Sequence, residues 1–289
     1  MTETPTTHPF ELPASGEPGR VLRGVVDRPA GATDATPLVV ILHGFKGFFR
    51  WGFFPELARR VVGAGHCALR FNFTGSGVGP DLESFSDDEG FEANAPTRML
   101  ADARHVLATL RAGGFEGATR GPIGLVGHSM GGAVALLTAA DAAPVASVVT
   151  WAAVASFDRF TDEHKRLWRS EGFLPIPNAR TGQVHRVGLR WLEEVESGDA
   201  AIDPLAAAAR LDVPTLLLHG DADTSVPLGE AHALIERLSE RTSTLEVVPG
   251  AGHTFGAKHP FAGSPPHLEA VLERTLSHLA RSFASHDAN

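Results

Sequence analysis

The stretch Gly127-His128-Ser129-Met130-Gly131-Gly132 decides how this chain is read. It follows the apolar run Ile123-Gly124-Leu125-Val126 and precedes the helix-forming run Ala133-Val134-Ala135-Leu136-Leu137. A short buried strand, a very tight turn and a helix are therefore predicted in succession. A G-x-S-x-G pattern in that setting lifts a serine hydroxyl above the end of a sheet on a strained backbone, which makes Ser129 the candidate nucleophile. Gly127 and Gly131 lack the Cβ atoms that would collide across such a turn. Gly132 lets the helix pack close to the strand. The first turn of that helix aims its free N–H groups at the place where a negative oxygen would form.

Outward from this turn, strand and helix patterns alternate. Val21 to Val26 reads as an early strand, and Thr36 to Leu42 is a continuous apolar run of the kind expected for a buried parallel strand. Phe54 to Val62 reads as a helix, His66 to Phe73 as a strand, and Pro96 to Ala112 as a helix with apolar residues at helical spacing. Residues 80 to 95 are acidic and turn-rich and read as a surface loop. Val145 to Trp151 is another buried strand. After a break the pattern resumes with a strand at Val213 to Leu218, a helix at Gly229 to Ser239, a strand at Thr244 to Val248 and a helix at Pro266 to Phe283. Such alternation predicts an α/β fold, a mostly parallel sheet wound on both faces. The break, residues 152–210, has no clear strand and reads as a partly helical cap inserted into a core of residues 19–151 and 211–289. Residues 1–18 read as an N-terminal arm, either loose or added to the sheet as an edge strand.

Composition narrows the function. The chain has 289 residues with 43% hydrophobic and 20% charged side chains, ordinary for a soluble enzyme domain. A net charge of −9 argues against nucleic acid as a partner, because phosphate binding needs a basic face. No apolar run approaches the roughly 18 residues that span a bilayer. The first residues are polar and acidic without the features of a signal peptide, and the single cysteine, Cys67, cannot form an internal disulfide. A cytoplasmic location is expected. Cys67 sits in an apolar stretch and reads as core. The histidines are scattered, with no H-E-x-x-H and no cysteine pairs, so no metal is expected. Gly75-Ser76-Gly77-Val78-Gly79 lacks the G-x-G-x-x-G spacing and no helix follows it, so it reads as a loop beside the active site and no cofactor-binding residue is assigned.

A serine hydroxyl needs a base, and the base needs an acid to fix its tautomer. With a G-x-S-x-G turn the order along the chain is serine, acid, histidine. Two stretches supply the partners, each just after a predicted strand: His219-Gly220-Asp221-Ala222-Asp223 and Gly250-Ala251-Gly252-His253-Thr254-Phe255. Loops past the C-terminal ends of parallel strands are where such sites assemble. Asp223 is preferred over Asp221, which is expected to brace the turn. His253 is the candidate base because small residues surround it. His43, His128 and His219 are expected to be structural. Two backbone donors must hold the oxyanion. Met130 N–H supplies one, and Phe45 N–H in His43-Gly44-Phe45-Lys46-Gly47 is the candidate for the other. Phe45 and the cap residues Phe157, Phe160, Trp168, Phe173 and Trp191 are expected to line an apolar substrate pocket.

With these motifs quoted, the chain resembles the α/β-hydrolase superfamily, and within it the bacterial dienelactone-hydrolase-like and serine esterase group. Arg70-Phe71-Asn72-Phe73 and Val226-Pro227 belong to the same resemblance. It covers the chain from about residue 20 onward and implies a sheet of about eight strands, a serine nucleophile at Ser129 and no cofactor. Dienelactone hydrolases carry cysteine at the elbow, and Ser129 here favours ordinary esters. The activity expected is carboxylic ester hydrolysis through Ser129, His253 and Asp223. Amide or peptide hydrolysis, acyl transfer and a non-catalytic binding role are the alternatives. The expected partner is a small-molecule ester, with neither nucleic acid nor membrane, and at most a second copy of the chain as a homodimer.

Overall fold

The computed structural model describes residues 4–141, 145–178 and 181–286; residues 1–3, 142–144, 179–180 and 287–289 lie outside them. Ten strands and nine α-helices occur among the described residues. The strands are β1 (Thr6–Pro13), β2 (Val21–Arg28), β3 (Leu38–Leu42), β4 (Cys67–Asn72), β5 (Ile123–His128), β6 (Ser147–Trp151), β7 (Phe173–Pro177), β8 (Val184–Gly188), β9 (Thr215–Gly220) and β10 (Ser243–Val248). Eight of them form one sheet in the order β1-β2-β4-β3-β5-β6-β9-β10. The ladders from β4 to β10 are parallel, and β1 and β2 add an antiparallel edge. Eight of residues 1–18 are therefore sheet: β1 pairs with β2 from Thr6–Arg28 to Pro13–Val21.

The period of two along each strand divides the core between the sheet faces. Leu38, Val40 and Leu42 belong to one cluster with α3 (Pro96–Arg111) and α4 (Met130–Asp141). Val39 and Ile41 belong to the other, with α1 (Phe54–Gly63) and α9 (Pro266–His286). Helix α4 is apolar all round, and it is buried from Met130 through Ala139. Helix α8 (Leu228–Ile235) packs beside β9 and β10. No helix among the described residues is long and apolar enough to cross a membrane.

Two stretches differ from the sequence reading. Residues 80–95 are not a solvated loop. They contain the short helix α2 (Asp88–Glu92), a bridge between Val78 and Phe85, and two phenylalanines, Phe85 and Phe91, that enter the core. Polar composition hid two anchors that bury a large area each. The stretch between β6 and β9 does contain strands. After helix α5 (Asp162–Glu171), β7 and β8 pair antiparallel as a separate ribbon, followed by α6 (Leu189–Glu196) and α7 (Pro204–Ala208). Pro175 and Pro177 obscured it, yet in a two-stranded ribbon each strand is an edge and tolerates proline.

Candidate active site

Ser129 stands where β5 gives way to α4, at φ +56°. A Cβ on Gly127 would come 2.2 Å from the Gly131 carbonyl oxygen, and one on Gly131 would come 2.4 Å from that of Leu42. Only glycine permits this fold-back, which is the physical reason for the spacing. Backbone bonds then fix the serine: its N–H donates to Trp151 O at 2.8 Å, and its carbonyl accepts from Gly132 N–H at 3.0 Å. Of the five non-glycine residues with positive φ among the described residues, four (Lys46, Ser129, Ala152, Phe255) follow β3, β5, β6 and β10. Backbone strain of this kind costs on the order of 1–3 kcal/mol per residue and gathers where other contacts over-determine the conformation.

The loops after β9 and β10 bring Asp223 and His253 together. Asp223 Oδ2 accepts from the His253 Nδ1–H at 2.8 Å, and its Oδ1 accepts from the amides of Ser225 (2.8 Å) and Val226 (2.9 Å). Burial alone would raise the Asp223 carboxyl, but the His253 ring and these two amides outweigh it and hold the group below the usual carboxylate range. Asp221 does something else: its Oδ1 accepts from Gly250 N–H at 2.6 Å and ties the two loops together. His219 Nε2–H donates to Val226 O at 2.8 Å and supports the Asp223 turn.

Gly44 carries the first loop hard against the nucleophile. A Cβ there would lie 2.9 Å from Ser129 Cβ and 3.1 Å from His128 O. The neighbouring Phe45 amide and the Met130 amide at the start of α4 have no hydrogen-bond acceptor among the described residues. His43 braces this loop from inside. Its Nδ1–H donates to Gly44 O at 2.8 Å, and its Nε2 accepts from Phe73 N–H at 3.2 Å. Burial drives its pKa down to about 4, so the ring is neutral. His128 is also neutral, lowered to about 3 by burial and then by His253. Its Nε2–H donates to the His253 carbonyl at 3.0 Å, and the two rings lie 4.7 Å apart. This is the structural role expected of His128, and its ring also forms part of the cleft wall beside His253. Gly75 and Ser76 border a small recess shared with His43 to Lys46, while Asp102 accepts from both the Thr74 amide (2.8 Å) and hydroxyl (2.7 Å) and anchors that loop.

Ser129 and His253 open onto a cleft of about 320 Å³ whose walls include Phe45, Lys46, Trp51, Phe54, His128 and Asn178. Of the aromatic residues expected to line it, only Phe45 does. Phe157, Phe160, Trp168 and Trp191 pack on one another at ring separations of 4.9–6.5 Å, and Trp168 and Trp191 are fully buried. They are core packing of the segment between β6 and β9, touching the site indirectly through Trp191, whose ring lies 5.5 Å from that of Phe45. Phe173 lies on the ribbon beneath the Arg186 guanidinium, 4.3 Å from its ring centre. Trp51 and Phe54 were missed. Their signal is the aromatic run Phe48-Phe49-Arg50-Trp51-Gly52-Phe53-Phe54 directly after the Gly44 loop.

The model of a family described as alpha/beta hydrolase matches residues 39–264. The chain belongs to the alpha/beta hydrolase family. Hydrolase is the activity class that accompanies this membership. Human monoglyceride lipase is 28% identical over 261 residues, covering 81% of this chain and 80% of the lipase. Ferulic-acid-bound Est1E from Butyrivibrio proteoclasticus superposes with a TM-score of 0.70 at 19% identity, covering 95% of this chain and 99% of that one. Dienelactone hydrolase from Anabaena variabilis does so with a TM-score of 0.62 at 17% identity, covering 96% and 99%. These two structures share the fold of this alpha/beta hydrolase, an eight-stranded, mostly parallel sheet, as the motif resemblance implies.

Proposed function

We propose that this alpha/beta hydrolase is a serine carboxylic ester hydrolase acting on small or medium acyl and aryl esters. One observation carries the reading: the 2.8 Å bond from His253 Nδ1 to Asp223 commits that nitrogen to the carboxylate, in a ring that shares a cleft with Ser129. The other nitrogen, Nε2, is then the one able to take a proton. Ser129 Oγ attacks the ester carbonyl carbon as its proton passes to His253 Nε2. Asp223 holds the tautomer and stabilises the imidazolium. The amides of Phe45 and Met130, which have no acceptor among the described residues, hold the oxyanion. Collapse of the tetrahedral intermediate returns the proton to the departing alcohol and leaves an acyl group on Ser129. Water, deprotonated by the same histidine, releases the acid. Phe45, Trp51 and Phe54 give the cleft an apolar wall for the organic part of the substrate. Similarity to monoglyceride lipase supports an ester over an amide. The test is hydrolysis of p-nitrophenyl esters from acetate to decanoate by the wild type and by Ser129→Ala. Turnover by the wild type and its loss in a folded variant is expected. Equal turnover by both proteins would overturn the proposal.

A further inference from the structure

The cleft beside Ser129 has an uneven charge. In a chain of net charge −9, the described residues of its wall include no aspartate or glutamate and one lysine, Lys46. The other ionisable groups of the wall are His128, held neutral by burial, and His253. Lys46 follows directly on Phe45, so its cation belongs to the loop that Gly44 brings against the nucleophile. The loop holds Lys46 at φ +55°, a conformation that glycine would adopt without strain. Its Nζ donates to Pro177 O at 3.3 Å, which carries the ammonium across from the Gly44 loop to the end of β7, next to the cleft residue Asn178. No carboxylate pairs with Lys46 among the described residues, and one carbonyl acceptor leaves most of the donor capacity of an ammonium unused. Partial burial lowers its pKa from the ordinary lysine value.

We propose that Lys46 is a specificity-determining residue and that the preferred substrates are esters carrying a second, free carboxylate, which the Lys46 ammonium receives at the cleft wall. This rests on the ester hydrolase reading and narrows it to a substrate class. An apolar wall of Phe45, Trp51 and Phe54 beside one unneutralised cation is complementary to an organic acid anion with a hydrocarbon or aryl body. A neutral ester would leave the ammonium without a counter-charge and gain nothing from it.

The experiment compares kcat/KM for matched anionic and neutral esters: monoethyl adipate against ethyl heptanoate, and 4-butyryloxybenzoate against 4-methylphenyl butyrate. The quantity read is the anionic-to-neutral ratio, so a change in catalysis common to both esters cancels. Lys46→Met should lower the ratio about tenfold in one or both pairs, the value of one charge-assisted hydrogen bond in a partly shielded cleft. Lys46→Glu should lower it further, Lys46→Arg should retain it, and added salt should depress the wild-type ratio towards that of Lys46→Met. Ratios that stay within about twofold in both Lys46→Met and Lys46→Glu would place the lysine among ordinary solvated charges and overturn the proposal, leaving the esterase reading intact. If the wild type hydrolyses none of the four esters, both readings fall.

Discussion

Replacing Asp223 by asparagine keeps the size of the side chain and changes one acceptor into a donor, so the outcome depends on which way the amide turns. Ser225 N–H (2.8 Å) and Val226 N–H (2.9 Å) both point at Oδ1. They claim the one remaining oxygen, and the amide NH₂ is left facing His253. Turning the amide over would set NH₂ against two N–H donors and lose two hydrogen bonds, a cost of about 2 kcal/mol before any repulsion is counted. The first orientation is thereby favoured by roughly 30-fold or more. It forces His253 Nδ1 to accept, which moves the ring proton to Nε2, the nitrogen that should receive the proton of Ser129. The imidazolium formed in the reaction also loses its counter-charge. Together these should lower kcat on the order of 10³–10⁴-fold, the usual cost of a wrong tautomer in a serine triad. Asp221→Asn is the matched control. Its Oδ1 accepts Gly250 N–H at 2.6 Å, and asparagine retains that acceptor, so a loss of no more than about threefold is expected. The assay is p-nitrophenyl butyrate turnover for both variants, with thermal melts to show that each is folded. Asp223→Asn within about tenfold of wild type, or Asp221→Asn as damaged as Asp223→Asn, would refute the assignment of the carboxylate.

Stability should fall steeply in mild acid. His43 and His128 have folded pKa values lowered to about 4 and about 3, so the unfolded chain binds more protons below the unfolded value of 6.5. Their contribution is complete above that value and is lost as pH falls towards the folded values, at up to about 1.4 kcal/mol per pH unit for each ring. Urea midpoints between pH 7 and 5 should show this, with a shallower slope in His128→Gln, and parallel slopes would contradict it. Trp51→Ala should change the preference between short and long acyl esters by about 10- to 200-fold, whereas uniform loss along the series would remove Trp51 from the substrate wall. Trp191→Ala should instead cost about 3–5 kcal/mol in urea unfolding, because its ring is fully buried, and a variant as stable as wild type would contradict that role.

The parts of the molecule legible in the sequence are those where backbone geometry allows few residue types. The turn at Ser129 is one: contacts of 2.2 and 2.4 Å at Gly127 and Gly131 admit no side chain, so the glycines announce the fold-back. The parallel strands are another, because burial on both faces demands the continuous apolar runs seen in β3 and β9. The approach of Asp223 to His253 is legible through their common position after adjacent strands. Aromatic residues are not legible in this way. A tryptophan in a buried core and a tryptophan in a cleft wall satisfy the same preference for burial, and only tertiary packing separates Trp168 from Trp51. For the same reason the two buried phenylalanines of residues 80–95 are lost among acidic neighbours. The charge asymmetry of the cleft is invisible to composition, because it depends on which residues, Lys46 among them, the fold gathers around Ser129.

The central claim is that the turn, the two later loops and the Gly44 loop together activate one serine. A fluorophosphonate probe reads this directly, since it phosphonylates a serine only where a base and an oxyanion site act on it. The measurement is the mass of the intact protein after exposure to the probe, followed by mapping of the modified peptide. One adduct on the peptide containing Ser129 is expected, with none in Ser129→Ala and greatly slowed labelling in His253→Ala. Absence of labelling in the wild type, or an adduct on a different serine that persists in Ser129→Ala, would contradict the account.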